Sequence, residues 1–555
     1  MAILTRNGLR DPAWRGSGVR LPGFDIEAMI EKTVASPRWI HLAPSNLYRG
    51  MIAPLQQKIL ESGLVDYGMI AVETHDRQVI DDIYCPHDNL SIRVVMYPDG
   101  RNDLTVVANI ADALFADSDG SPEDWGKTLD YFSQDSLQMV SITCTEKGYN
   151  IDNPLAEADY ENGPAAPRHI MAKAAAFAYH RYQNGGAPMA FVSMDNVSEN
   201  GHKFSNAVTT FAVEWVNRGL INKGFLEYLN EKISFPWTMI DRITPRPAEN
   251  VREMLEEKGV EGMEITTTDK GTAIAPFVNT EHVSYLVIQD EFPNGRPPLE
   301  EAGVIFCGSP EEVAGYEKMK VGTCLNPIQT TLCIFGCLLN HEHIYDTIAD
   351  PLLKELVYRQ SYDESLPVVV HPGKIEPEEF LREVLEERLP NPNIPDTPAR
   401  IVTDTSQKVG VRYGDTIIAQ GDNAKNLKYI PLAIAGWCRY LMGIDDEGRE
   451  MNYNPTADPP WNRWSTDHLL EELTPYVSDV QLGSPETAIG KLRPILSDTE
   501  LFGVDLYEVG LGDRIEGYFR EMIAGVGAVR TTLYNSVSCS IRRASDRGNS
   551  IDREQ

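Results

Sequence analysis

Positive charge is scarce in this chain: 50 lysines and arginines stand against 82 aspartates and glutamates in 555 residues, a formal charge of -32. A field of that sign repels phosphate backbones and anionic lipid headgroups, which argues against nucleic acid and membrane partners. An anionic substrate or cofactor then has to be met by cations gathered at its site, so clustered lysines and arginines deserve tracking. Paired cysteines are lacking as well. The eight, at positions 85, 144, 307, 324, 333, 337, 438 and 539, form no CxxC and have no histidines at zinc-ligand spacing, so neither a disulfide framework nor a structural zinc is supported. Cys333 and Cys337 stand i, i+4 in TTLCIFGCLL, the spacing of small buried residues on one helix face. The HEH triplet at 341–343 could share a face only in a strand and reads poorly as a metal site. No apolar run reaches the length of a bilayer span, and the start, MAILTRNGLRDPAWRGSG, lacks the apolar core of a secretory signal. A cytoplasmic protein is the expectation.

What is present is enough apolar content, 42%, for two or three separate cores in a chain of this length. The first half alternates β-rich runs with amphipathic stretches, the pattern of a parallel sheet covered by helices. WIHL at 39–42, GMIAVE at 68–73, MVSIT at 139–143 and MAFVSM at 189–194 read as strands, with an Ala-rich helix from about residue 165. LSIRVVMY and LTVVANI, separated by PDGRND, read as a hairpin added to that sheet. Beyond about residue 295 long helical patterns take over, including YEKMK, PIQTTLCIFGCLL, EPEEFLREVLEERL and IEGYFREMIAG. FPNGRPPLEEAG, rich in Pro and Gly, suits a connection, and the polar tail RRASDRGNSIDREQ reads as disordered.

A strand, a tight turn, a helix N-terminus and then a second strand ending in an acid make up a dinucleotide-binding arrangement. WIHL, APSNLYRG and GMIAVETHD supply that order. The turn has Ala43, Pro44 and Ser45 where glycines are wanted, and the proline removes one N–H donor. An ordinary strand-to-helix connection is the competing reading. Ser45, Asn46, Leu47 and Arg49 are the candidates around the pyrophosphate, and Glu73, or else Asp76, is the candidate ribose ligand. A carboxylate there repels a 2′-phosphate, so NAD is favoured over NADP.

An ordered series of motifs then spans residues 38 to 533. IHLAPSNLYRG resembles an HxGxGxFxR turn, and TEKGY at 145–149, SMDNVSENGH at 193–202, MIDRITP at 239–245 and QDEFPNGRPPLEEAGV at 289–304 follow in order. DTPARIVTDTSQK at 396–408 and FGVDLYEVGLGDRIEGYF at 502–519 continue it. In this series the chain resembles the mannitol dehydrogenase and fructuronate reductase family of long-chain, zinc-independent dehydrogenases. The resemblance implies an α/β protein with a Rossmann-like NAD-binding domain at 1–295 and a mostly α-helical substrate domain at 296–555. It also implies metal-free catalysis: hydride leaves carbon for the nicotinamide while a lysine takes the proton from oxygen and amide donors hold the oxyanion.

Carried over by position, the resemblance makes Lys320 the acid/base, Asn326 and Asn196 the oxyanion donors, Asp241 an organiser of the site and Glu317 a gate to proton exchange. Two departures stand out. The family places its asparagine five residues after the lysine, whereas Asn326 comes six after Lys320, and on a regular helix one extra residue rotates a side chain by about 100°. Either Gly322 marks an irregular turn, or the lysine is misassigned and Lys318 is its rival, at a worse spacing. Gln329 replaces the family's histidine; it can orient a hydroxyl but not exchange a proton near neutrality. The strings ITEKGYN, CLNP, GWCRYLMGIDDEG and FGVDLYEVGLG resemble the sugar-acid branch, pointing to D-fructuronate and D-mannonate, with Lys408 and Arg412 as candidates for the uronate carboxylate. Tagaturonate reduction, mannitol 2-dehydrogenation, and an epimerase-like or non-catalytic binding protein are the alternatives. Oligomeric state is left open.

Overall fold

The computed structural model describes residues 2–394, 396–403, 405–451 and 485–537. These fall into two compact units, one up to Ala314 and one from Gly315 onward.

In the first unit, strands Ile110–Phe115, Met69–Glu73, Trp39–Leu42, Met139–Ile142, Met189–Ser193 and Ile233–Ser234 lie side by side in that order, every neighbouring pair parallel. The four central runs are buried residue by residue, which is why they read as continuous apolar strings. Alternate residues feed separate cores on the two faces. Ile40, Leu42, Ile70, Val72, Val140 and Ile142 face one, roofed by helices Ile170–Gln183 and Asn200–Asn217. Trp39, Met69, Ala71 and Met139 face the other, under the helix that includes Ala53–Glu61. The Ala-rich face of Ile170–Gln183 carries little side-chain bulk, so a buried helix can lie close over the sheet.

The expected hairpin forms, from Ser91–Met96 and Asn102–Val107, but it is not part of this sheet. Its first strand pairs with Phe277–Glu281, nearly two hundred residues away, in a separate three-stranded sheet. The chain breaks at Ala108 and Asn109, and the strand that joins the large sheet starts at Ile110. The break is held by Asn109, which donates from its side chain to Ala53 O at 2.8 Å and accepts from Met69 N at its backbone O. The Pro- and Gly-rich segment 292–303 lies inside the first unit and leads into strand Ile305–Cys307, beside Tyr285–Gln289.

The second unit is helical. Helix Tyr429–Tyr440 is buried along its whole length and packs against Asn326–Leu338 and Gly512–Met522. Gly436 permits the first contact, because a Cβ there would sit 2.5 Å from the Phe335 ring. EPEEFLREVLEERL runs as Pro377–Glu383 followed by a wider turn, Val384–Arg388. One expectation needs correcting: helical segment Pro310–Leu338 is long and apolar enough to cross a membrane. Since 78% of its apolar stretch is buried inside the protein, it reads as a core helix. The seven described cysteines are free thiols. Cys539 and the tail 542–555 lie outside the described residues.

Candidate active site

The sheet order reverses between Trp39–Leu42 and Met139–Ile142, and the crevice beyond the carboxyl ends of such strands is where open parallel sheets bind ligands. The two strands are tied by side chains. His41 lies with Nδ1 2.7 Å from Ser141 Oγ and Nε2 3.2 Å from Thr143 Oγ1, stacked on Tyr48. Full burial holds its pKa down at about 3, so it is a neutral structural ring. The turn that follows opens on Ala43 at φ +58°, the left-handed conformation a glycine normally takes. Ala43 is fixed there by its N–H to Val72 O (2.9 Å) and by Thr143 Oγ1, which donates to its carbonyl (2.9 Å). An alanine thus holds the left-handed φ that a glycine would adopt freely at this position.

Ser45 is exposed on this turn, its Oγ 3.2 Å from Thr143 Oγ1. Asn46 begins the helix and accepts from Arg49 Nη2 at 2.9 Å. Arg49 is buried, with Nη1 donating to Ala275 O at 2.7 Å, and Leu47 packs on the core below. Glu73 ends the next strand. One of its oxygens, Oε1, accepts from the amides of Thr74, His75 and Asp76 at 2.8–3.1 Å. Burial raises its pKa, and those three amides act against the rise. Asp76 is spent differently: Oδ1 caps Gln78 N and Oδ2 accepts from Thr268 Oγ1 at 2.7 Å. Sequence reasoning missed Lys173, a buried lysine whose Nζ donates to Thr74 O at 2.6 Å and so anchors the Glu73 loop. Its only signal was a lysine inside an Ala-rich helix.

Asn196 is exposed in the loop after Met189–Ser193. Its neighbour Asp195 is buried and accepts from Tyr149 Oη (2.7 Å) and Ser193 Oγ (2.9 Å), and burial raises its carboxyl pKa. The TEKGY tyrosine thus serves the DN motif directly. Asn200, in the same motif, bridges Asp195 O and Thr238, donating to Thr238 Oγ1 at 2.9 Å and accepting from its N–H at 3.0 Å. Thr238 starts the strand that ends at the buried Asp241, so one asparagine side chain links the segments carrying Asn196 and Asp241. Gly201 must lack a side chain: a Cβ would lie 2.4 Å from Phe235 O.

In the second unit the six-residue interval between Lys320 and Asn326 has a physical answer. Lys320–Cys324 is a π turn, closed by Leu325 N donating to Lys320 O, and Pro327 opens the α-helix Asn326–Leu338 that follows. The extra residue is absorbed in one wide turn. Lys320 is only 6% exposed, Asn326 and Gln329 are half-buried one helical turn apart, and Glu317 is half-buried one turn earlier. Lys318, the rival, is exposed, and its charge counteracts the burial-raised pKa of Asp415. Arg412 is buried and donates through Nη1 to Thr330 Oγ1, on the helix that carries Asn326 and Gln329. Lys408 lies one helical turn before Arg412 and donates from Nζ to Thr403 O at 3.1 Å. His341 and His343 lie in a bend and face Asp350 and Asp346.

Family models match both parts of the chain: the mannitol dehydrogenase Rossmann domain over residues 37–301 and the mannitol dehydrogenase C-terminal domain over 312–476. The chain belongs to the mannitol dehydrogenase family. It is 48% identical over 542 residues to a D-mannonate oxidoreductase of Thermotoga maritima, covering 96% of this chain and 98% of that one. It is 27% identical over 441 residues to a D-mannonate oxidoreductase of Escherichia coli, covering 76% and 85%. The solved structure of Pseudomonas fluorescens mannitol 2-dehydrogenase, a ternary complex with NAD and D-mannitol, superposes with a TM-score of 0.70 at 22% identity, over 96% of this chain and 99% of that one, and shares the fold.

Proposed function

We propose that the chain is an NAD-dependent oxidoreductase that interconverts a keto-uronate and an aldonate, D-fructuronate and D-mannonate foremost. The observation that carries this reading is the 48% identity, over nearly its full length, to a D-mannonate oxidoreductase. The crevice residues fit the cofactor: Ala43 keeps the left-handed turn a pyrophosphate-binding loop needs, and Glu73 commits one carboxylate oxygen to its own loop and keeps Oε2 for ribose hydroxyls. NAD, when bound, supplies or accepts the hydride at the substrate carbon.

In this reading Lys320 gives the proton to the substrate oxygen during reduction and takes it back during oxidation. Its burial, against the exposure of Lys318, favours it as the lysine that keeps its proton from bulk water. Asn326, on the same helical segment, donates to the developing oxyanion, and Asn196 and Asp241 keep the oxyanion-donor and site-organising roles that the family resemblance gives them. Glu317 passes protons to solvent. Gln329 orients a substrate hydroxyl without exchanging a proton. Arg412, bonded to Thr330 of the helix that carries Asn326 and Gln329, pairs with the uronate carboxylate, with Lys408 one turn away.

The test is kcat/KM for NADH-linked reduction of fructuronate, tagaturonate and fructose by the purified chain. A clear preference for fructuronate supports the proposal. Preference for fructose moves the substrate to the polyols, and epimerisation of a sugar acid with NADH retained on the protein replaces reduction by a hydride-returning reaction.

A further inference from the structure

The first unit carries a cavity of about 400 Å³ lined by none of the residues discussed above as catalytic or cofactor-binding. It is walled by helix Ala53–Glu61, the hairpin strands Ser91–Met96 and Asn102–Val107, and the turn Ala302–Val304. Its charges reverse those of the chain: Arg20, Lys58, Arg93 and Arg242 line it, with Glu61 as the single carboxylate. In a protein of formal charge -32, a local excess of cations is the kind of concentration an anion needs in order to approach.

Several of the contacts that hold these cations are to neutral oxygens. Arg242 donates through Nε to Thr280 Oγ1 (2.7 Å) and through Nη2 to Glu281 O (2.6 Å), and Lys58 Nζ donates to Ala302 O (3.2 Å). Arg20 reaches Thr105 Oγ1 at 3.5 Å and shares Glu61 at 3.5 Å. Arg93 projects from the middle of its strand, and its buried Nε has no hydrogen-bond partner. Burial, and after it the like charge of Arg20, press against its ionised form, while Tyr97, Asp103 and Glu61 act more weakly the other way. A buried guanidinium whose Nε has no hydrogen-bond partner is costly to keep, and an anion in the cavity would offset that cost.

We propose that this cavity is a second anion site that binds a small phosphate ester. A phosphate dianion offers three acceptor oxygens to several guanidinium forks at once, whereas a monocarboxylate occupies one. Met51, Leu55, Val107 and Leu286 provide an apolar wall for the organic part, and the volume limits the ligand to a single small metabolite. The site does not depend on which sugar acid the enzyme reduces.

The experiment is calorimetric titration of the full chain with inorganic phosphate, at ionic strength held constant with chloride, for the wild type, Arg93→Gln and Lys58→Gln. NADH binding is followed on the same proteins by fluorescence. The expected result is saturable phosphate binding that weakens about ten- to a hundred-fold in Arg93→Gln, and also weakens in Lys58→Gln, with NADH affinity unchanged in both. Absence of saturable binding to the wild type, equal phosphate affinity in all three proteins, or displacement of phosphate by NADH would each overturn the proposal. If Arg93→Gln fails to fold, the exposed Lys58 variant decides the outcome.

Discussion

The amide of Leu325 donates to the carbonyl of Lys320 at 3.0 Å, five residues back, and this wide turn takes up the residue that separates the chain from its family's lysine-to-asparagine spacing. A π turn disturbs the regular i to i+4 ladder and leaves carbonyls to be satisfied from elsewhere. Gly322 O receives Thr416 Oγ1 at 3.2 Å, a hydroxyl from the buried face of helix Asp415–Gln420. Thr416→Val is therefore expected to cost about 1–3 kcal/mol by stranding that carbonyl, while Thr416→Ser keeps the bond. Urea unfolding measures both, and a Thr416→Val variant as stable as Thr416→Ser would contradict the role given to this contact.

Ala43 carries the strain that a glycine would relieve. A left-handed non-glycine residue costs about 1–2 kcal/mol, and the added freedom of an unfolded glycine returns part of that. Ala43→Gly should stabilise the protein by about 0.5–1 kcal/mol and leave NADH affinity intact, whereas Ala43→Val should destabilise it by more than about 1 kcal/mol. Thermal melts of the two variants give the answer; a destabilised Ala43→Gly would show that φ +58° is not strained here.

Glu73 and Asp76 should part company on mutation. Removing the Glu73 carboxylate takes away the proposed ribose ligand and the group that repels a 2′-phosphate, so Glu73→Ala should weaken NADH binding about tenfold or more and narrow the preference over NADPH. Asp76→Ala loses a cap and the Thr268 contact, and so should lower stability while leaving the cofactor preference alone. Fluorescence titration with both nucleotides separates the two, and an unchanged preference in Glu73→Ala would count against the ribose assignment.

Lys173 gives a pH dependence of known sign. Burial lowers its pKa from 10.5 to about 8, so the folded chain releases this proton more readily than the unfolded chain does. Between about 8 and 10.5 the unfolded state holds more protons, and this residue makes stability rise with pH across that window. Subtracting the stability–pH curve of Lys173→Met from that of the wild type should leave a positive slope there. A flat difference would mean that Lys173 titrates normally.

The four central strands and the parallel sheet were legible because buried parallel strands are continuous apolar runs, and the motifs fell at strand ends where the chain turns into helices; the order of the strands was not. The hairpin was legible too, but not its sheet, because its partner strand Phe277–Glu281 is remote in sequence and local pattern carries no information about pairing at that range. At the site, spacing alone exposed the mismatch between Lys320 and Asn326 without saying whether the chain or the assignment was irregular. Backbone hydrogen bonding shows the irregular turn, which spacing could not. Ala43 looked like a lost glycine because residue type reports the ease of a left-handed φ, not whether neighbours such as Thr143 enforce it. The preference proposed for Glu73 over Asp76, and for Lys320 over Lys318, rests on burial and on hydrogen-bond partners, which local pattern does not give.

The central claim is that the buried lysine at the head of the π turn does the proton transfer. The most direct test is the loss of nicotinamide absorbance when NADH and fructuronate are mixed with the wild type, Lys320→Ala and Lys318→Ala under saturating conditions. Loss of a general acid lowers kcat by about 100- to 10,000-fold, so Lys320→Ala should fall in that range while still binding NADH, and Lys318→Ala should stay within a factor of about three of the wild type. Wild-type turnover in Lys320→Ala, or a collapse in Lys318→Ala alone, would contradict the account.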